Sequence, residues 1–380
     1  MAIRIVPYET SLEPEALAFD ARLRAANALP FPLGPAPRAD EADSSPVRFQ
    51  HFLAVDDQGA VRGGYFIRSQ QFTIRGTVQT VGNYSAPVSE GIIDKRFSAV
   101  GPVMLGHALK QQPLLFAMGM GGLDRPLPRM MKIMGWTVRE VPFFFHVLKA
   151  GNFLRNAGPL QRPPLRFLAH AMAATGLGAV AIHGAQWIRG AQWIRGRGGM
   201  VTSARATAVE SFDNWADEVA ETCSGMYSFA AVRDSRYLRF MYPRIEAPHS
   251  ALRLVRADEK TTGWVHVLSC SPQNQAYFND MKVAALVDGE GPASEVPALI
   301  HAAVRLAKEN GADLLFSNQM HRTWTAELLR AGFWRGPSNY LLALSKDLAS
   351  QLSPIEESLS TVHFNRGNGD GVVNLVGPPG

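Results

Sequence analysis

The sequence predicts a mixed α/β (α+β) chain of two units in tandem, each a mostly antiparallel sheet flanked by helices. Three observations lead there. The 380 residues exceed the ~100 to 150 of a common single domain. The apolar pattern switches repeatedly between strand-like alternation and helical spacing, and the order of those switches in the first half recurs in the second. With 46% apolar and 19% charged residues, the composition is that of a packed globular protein, which excludes disordered and fibrous classes.

The elements follow in order. Ile3–Val6 reads as a strand. An amphipathic helix from about Leu12 to Asn27 follows the helix-entry pair Thr10-Ser11, with Pro14 in its first turn. A Pro-rich loop comes next. From Phe49 the chain alternates through three strands, turning at Gln58-Gly59 and at Arg75-Gly76, which is an antiparallel meander. GPVMLGHALKQ then places Val103, Met104, Leu105, Ala108 and Leu109 on one helical stripe, LLFAMGM reads as a buried strand, and LPRMMKIMG as a short helix ending at Gly135. In the second half SFDNWADEVAETC is a helix, HSALRLVRADEKTTGWVHVLS a hairpin and FNDMKVAALVD a strand. SEVPALIHAAVRLAKENG is a helix ending at Gly311, ADLLFSNQ a strand, HRTWTAELLRAGF a helix and SNYLLALS a closing strand. The division this suggests is a first domain at 1–155, a helical and Gly-rich linker at 156–205, a second domain at 206–352 and a mobile tail at 353–380, where RGNGDGVVNLVGPPG is dense in turn residues.

Charge is uneven. Residues 1–200 hold 22 Lys/Arg against 13 Asp/Glu, and residues 201–380 hold 16 against 20. Between Arg96 and Arg197 stand 13 cations with only Asp124 and Glu140 opposing them, which suits an anionic ligand such as phosphate or an arginine-rich solvated surface. No dense Lys/Arg run or recognition-helix signature points to DNA. Within the linker, AQWIRG occurs at 185–190 and again at 191–196, and Phe167 to Ile188 carry no Asp, Glu, Lys or Arg. Residues 163–197 read either as a helix packed across the domains or as an interfacial anchor with Trp187, Trp193 and flanking Arg making peripheral membrane contact.

The most informative junction is Arg96-Phe97-Ser98-Ala99-Val100-Gly101-Pro102, where the meander gives way to a helix. A strand ending in a small-residue loop that opens a helix leaves backbone N–H groups aimed at one point with the positive helix end behind them, a cradle for a pyrophosphate. This stretch resembles the acyl-CoA pyrophosphate loop of the GNAT superfamily of N-acetyltransferases, Arg/Gln-x-x-Gly-x-Gly/Ala. Arg96 and Gly101 match, and Ala99 stands where the first glycine belongs. The order strand, helix, meander, loop, helix, strand, helix fits as well. The resemblance covers residues 1–150, and 207–350 resembles a second such unit, so the whole is similar to tandem-GNAT proteins, including the Fem-type aminoacyl transferases.

That resemblance implies acetyl-CoA or another acyl-CoA as donor, held by Arg96 to Gly101, with an amine on a small molecule, sugar or protein attacking the thioester directly. In the second unit the matching junction is Asp288-Gly289-Glu290-Gly291-Pro292-Ala293. Two acids there disfavour an anion, so the donor is expected in the first unit. Glu90, late in the presumed fourth strand where the family often carries a base, is the candidate general base, or else a surface charge at a strand end. Tyr84, six residues earlier and so on the same face by strand period, either positions the acceptor or packs in the core. Asn318, His321, Ser338, Asn339 and Tyr340 are polar punctuation at strand ends, suited to substrate contact or to capping.

Other chemistries lack their signatures. MGMGG at 118–122 does not have the dinucleotide spacing, the ten His show no metal-ligand spacing, and no G-x-S-x-G elbow occurs. Cys223 and Cys270, the two cysteines, exclude a disulfide scaffold and a multi-thiolate zinc site. With no apolar run at the start, a cytoplasmic protein, membrane-associated if the linker anchors it, is expected. Two alternatives stay open. One is a non-catalytic, membrane-apposed scaffold of an envelope polysaccharide system. The other is a Fem-like enzyme taking aminoacyl-tRNA, the one reading in which RNA is a partner.

Overall fold

A computed structural model describes residues 2–28, 30–32, 45–161, 165–196, 204–270, 278 and 280–369. The Pro-rich loop falls largely outside the described residues, as do Arg197, the side chains of Trp187 and Trp193, and the end of the tail from 370. The chain begins with β1 (Ile3–Pro7), α1 (Glu13–Ala25), β2 (Val47–Asp56), β3 (Val61–Ile74), β4 (Thr77–Ser89), α2 (Val100–Gln111), β5 (Leu115–Gly119), α3 (Pro126–Ile133) and β6 (Thr137–Glu140). It continues with β7 (Phe143–Val147), α4 (Ala150–Asn156), α5 (Leu165–Thr175), α6 (Leu177–Gly196), β8 (Arg205–Ala208), α7 (Asn214–Cys223), β9 (Phe229–Ala231) and α8 (Ser235–Met241). Then come β10 (His249–Val255), β11 (Thr261–Cys270), β12 (Val283–Glu290), α9 (Val296–Glu309), β13 (Leu314–Asn318), α10 (Arg322–Arg330) and β14 (Trp334–Gly336). The last elements are β15 (Leu341–Leu344), α11 (Lys346–Gln351), α12 (Ile355–Leu359) and β16 (Val362–His363).

Two compact units result: residues 1–139 with 341–355, and residues 140–340 with 356–380. The sheet of the first runs β1-β2-β3-β4-β5-β15-β6, and that of the second β14-β7-β13-β12-β11-β10-β8. Read from β8, the second order repeats the first position by position. The slot between the fifth and last strands is filled crosswise, by β15 in the first unit and β7 in the second. This corrects the division at 155 and 206, and SNYLLALS closes the first sheet rather than the second. Period 2 marks a segment as a strand but carries no information about which edge it joins.

Local chemistry explains the pieces. Arg75 and Gly76 both have positive φ, 47° and 85°, and Ile74 pairs with Thr77, the two-residue primed turn that matches the twist of a hairpin. Alternation along β2 sends Phe52 and Ala54 to the α2 face, with Met104, Leu105 and Ala108. Leu53 and Val55 go to the α1 face with Ala16, Phe19 and Leu23. Val103, counted in the α2 stripe, is exposed. In the second unit α9 and α10 cover one face of the sheet, and α4, α5 and α6 cover the other.

The expected mobile tail is corrected over its described part. β16 pairs in parallel with β9, Val362 with Phe229 and His363 with Ala230. Asn365 then caps a 3-10 turn at Arg366–Asn368 in a reciprocal capping box. Phe364 and Asn365 are fully buried.

Candidate functional site

In the first unit the parallel partners β4 and β5 share two register pairs, Gly82 with Leu115 and Asn83 with Phe116. From there β5 takes β15 on its other edge, Phe116 to Leu344 through Gly119 to Leu341, while β4 runs on to Ser89 beside β3. The sheet therefore splays between β4 and β5 from Tyr84 onward. β4 also bulges: Phe66 faces Ser85 but Gly64 faces Val88, and Ala86 sits at φ 46°. A bulge inserts a residue and re-aims the side chains beyond it. Strand period thus does not carry Tyr84 and Glu90 to one face, and Glu90 lies in a 3-10 turn, Glu90–Ile92, past the strand end.

The chain leaves this gap through that turn and a second one at Lys95–Phe97, and α2 opens at Val100. Ala99 is the N-cap residue at φ −73°, ψ −17°, an ordinary conformation for any L residue, so alanine replaces the pattern's glycine without strain. No side chain caps α2, its first turn holds no acid, and Val103 N–H turns back to Ala99 O at 3.1 Å. Pro102 has no N–H to offer. The Val100 and Gly101 N–H groups thus stand at the positive helix end without an intrahelical acceptor. Ser98 and Ala99 are exposed and Val100 is buried. Among the described residues a Cβ on Gly101 would meet only Met130, its Sδ at 3.6 Å, so they leave space open above this turn. Arg96 is exposed and forks onto Asp94 at 2.9 and 2.6 Å. Phe97 is buried under the Arg62 guanidinium, 4.3 Å from its ring centroid.

Glu90 is an ion-pair hub. Its carboxylate takes Arg22 Nε at 2.9 Å and Nη2 at 3.1 Å, and Arg62 Nη1 at 3.0 Å. Arg62 also holds Asp56 at 2.7 Å. Both carboxylate oxygens are taken by guanidinium groups, and the geometry gives Glu90 the task of anchoring the turn between β4 and α2. Arg22 and Arg62 went unnoticed in the sequence, since no local spacing relates them to Glu90. Tyr84 is buried against Tyr65, ring centroids 5.0 Å apart. Burial, with a smaller push from Tyr65, holds its phenol well above the usual range. Its hydroxyl has no hydrogen-bond partner among the described residues. The residue stands where the sheet begins to splay. Tyr65, by contrast, bonds His107 Nδ1 at 2.6 Å.

The corresponding gap in the second unit is filled. β12 and β13 share three parallel pairs, ending at Ala285 with Phe316. Beyond them Asp288 pairs with buried Arg233 at 3.0 Å and accepts from Tyr242 at 3.1 Å and Asn365 Nδ2 at 2.8 Å. Arg233 reaches Asn368 Oδ1 at 3.1 Å, and Gln319 bridges Asn365. A Cβ on Gly367 would lie 2.8 Å from Asp288 Cγ, so the chain passes too close for any other residue. Asp288 and Glu290 are both buried rather than presented at the junction. Burial pushes the Glu290 carboxyl up to about 8. Of the five polar residues at strand ends, Asn318, Ser338 and Asn339 line one cleft. Tyr340 lies 5.1 Å from the Arg366 guanidinium carbon, and His321 packs edge-on against Tyr227.

Solved structures resemble this architecture. Saccharomyces cerevisiae N-myristoyltransferase with bound myristoyl-CoA aligns with a TM-score of 0.52 at 10% identity, over 90% of this chain and 82% of that one. A conserved Enterococcus faecalis V583 protein, a probable N-acyltransferase, aligns at 0.51 and 9% identity, over 93% and 75%. A GCN5-related N-acetyltransferase from Anabaena variabilis ATCC 29413 aligns at 0.52 and 8% identity, over 90% and 72%. The fold is that of two GNAT-like units in tandem. No protein-family model matches the chain, and no curated protein sequence does.

Proposed function

We propose that the chain is an acyl-CoA-dependent N-acyltransferase whose donor occupies the first unit. The observation that carries this reading is the contrast between the two gaps. The first opens between β4 and β5 beside an acid-free helix N-terminus, while the second is closed by a buried ion pair and the chain's own tail. The bound myristoyl-CoA of the yeast structure and the acetyltransferase likeness support the donor class. In the first unit Val100 and Gly101 N–H take a pyrophosphate oxygen, and the acyl thioester enters the splay beside the bulged strand. An amine attacks the thioester carbonyl; the C–N bond forms, the C–S bond breaks, the amine loses a proton and the thiolate gains one. Tyr84, neutral and with a hydroxyl that has no partner among the described residues, donates a hydrogen bond to the reacting group. Calorimetric titration with acetyl-CoA, a long-chain acyl-CoA and free CoA tests the reading, and the first two arms separate the acyl lengths. Saturable binding lost in Gly101→Glu supports it; no binding at millimolar ligand overturns it.

We also propose a peripheral membrane contact through α5 and α6, which rests on a different surface. No single described helix is long and apolar enough to cross a membrane; α5 and the first part of α6 form a pair bent by 88°. Ala169 and Ile182 face inward, while Phe167 is 75% exposed and Leu165, Leu168, Leu177 and Val180 are exposed beside it. From Val141 to Val209 the sequence holds eight Lys/Arg and no Asp or Glu, the complement of an anionic headgroup layer. Co-sedimentation with phosphatidylglycerol vesicles, lost in Phe167→Asp/Leu168→Asp, is the expected result. Failure to sediment, or dimerisation that the same double variant abolishes, overturns the membrane reading.

A further inference from the structure

The second unit holds a cleft of about 660 Å³, a volume ordinary for small-molecule sites. Phe143 and Phe145 of β7, Phe153 of α4, Phe316 of β13 and Trp334 of β14 form its walls, and Arg366 from the C-terminal turn is the one charged residue in its lining among the described residues. The walls follow from the strand exchange: β7 and β13 bring alternate aromatic side chains to one face, paired Phe316 to Phe145 and Asn318 to Phe143.

Arg366 is unusual for a guanidinium in such a place. Buried charges are normally paired with an opposite charge, yet no carboxylate lies within ion-pair distance of Arg366 among the described residues. Its Nη1 donates to Asn318 Oδ1 at 2.8 Å. Its guanidinium carbon is 5.2 Å from the Phe316 ring and 5.1 Å from that of Tyr340. The buried Nε has no acceptor. Nε and Nη2 form the edge on which guanidinium receives a carboxylate through two parallel bonds. With Nη1 committed to Asn318, that edge remains for an incoming anion.

We propose that this cleft binds an apolar carboxylic acid, its carboxylate on the Nε/Nη2 edge of Arg366 and its hydrocarbon body between the aromatic walls. One guanidinium and no second cation among the described lining residues match a single negative charge rather than a phosphate dianion. The site is built from residues of the second unit alone and does not depend on the acyl-transfer reading.

The test uses the full chain and calorimetry, with decanoate, 2-naphthoate and decanol below their aggregation limits. Saturable decanoate binding, weakened at least tenfold in Arg366→Gln, is expected, with decanol bound more weakly and indifferent to that substitution. Naphthoate in place of decanoate would assign the body as aryl rather than alkyl. Equal affinity for decanoate and decanol on the unaltered chain overturns the proposal, and this comparison decides even if Arg366→Gln fails to fold. So does undiminished decanoate binding in Arg366→Gln, or no saturable binding of either acid.

Discussion

Gly101→Glu separates the donor site from the fold that carries it. The glycine occupies the first turn of α2, and its missing side chain points where, among the described residues, only Met130 approaches, at ordinary van der Waals distance. Replacing glycine in a helix recovers up to about 1 kcal/mol of propensity. A carboxylate beside the positive helix end adds roughly 0.3 to 1 kcal/mol. The variant is therefore expected to be more stable by about 1 kcal/mol, a rise in Tm of about 2 to 4 °C for a unit of this size. The same carboxylate lies where a pyrophosphate oxygen would sit. Two charges about 5 Å apart at an effective dielectric near 20 repel by about 3 kcal/mol, on the order of a hundredfold in affinity, and the penalty shrinks as salt is raised. Thermal unfolding and calorimetric titration of acyl-CoA on one preparation read both quantities. Unchanged affinity refutes the placement of the donor, and a Tm lowered by several degrees refutes the open space above the turn.

The remaining predictions concern buried polar groups. Tyr84→Phe removes a hydroxyl with no described partner, so stability holds or rises by about 1 kcal/mol while turnover falls; a marked loss of stability in urea titration would show that the hydroxyl is satisfied. Glu90→Gln strips Arg22 of its carboxylate partner and leaves Arg62 with Asp56 alone, and lowers stability by about 2 kcal/mol, less than for a fully buried pair because Arg22 is part-exposed. Intact stability with lost turnover would instead restore Glu90 as the base. Glu290 holds its proton in the folded chain up to about pH 8 against an ordinary value of 4.5, whereas the unfolded chain releases it near 4.5. The folded state therefore binds the extra proton between those values, and stability from this group declines by up to about 1.4 kcal/mol per pH unit as pH rises through that window. Glu290→Gln should flatten the decline in denaturation series at pH 5 and pH 8, and parallel slopes for the two proteins would contradict it.

How much of this was legible in the sequence differs from element to element. The β3–β4 turn was readable because Arg75-Gly76 sits between two alternating runs, and the end of α9 because Gly311, at φ 75°, follows a long helical stripe. The opening of α2 at Val100 was readable for the same local reason, whereas the two 3-10 turns that separate it from β4 were not. β6, β7, β9, α8 and β14 were not recognised, being 3 to 7 residues long, too short for periodicity to separate strand from helix. The position of Glu90 was misjudged because a single inserted residue at the Ala86 bulge reverses the strand period, and no composition signal marks it.

The sequence by itself determined the longer strands and helices and the hairpin turn at Arg75-Gly76, the duplication of their order, and the acid-free helix opening at Val100. Only the tertiary structure decided that β7 and β15 exchange units, that Glu90 is claimed by Arg22 and Arg62, that the tail closes the second gap, and that Arg366 stands in an aromatic cleft with no carboxylate partner among the described residues. Backbone propensity, side-chain period and cap chemistry act over a few residues and are written where they act. Pairing of strand edges and of charges 28 to 68 residues apart is settled by burial, when many weak local preferences are satisfied at once by one arrangement of the whole chain.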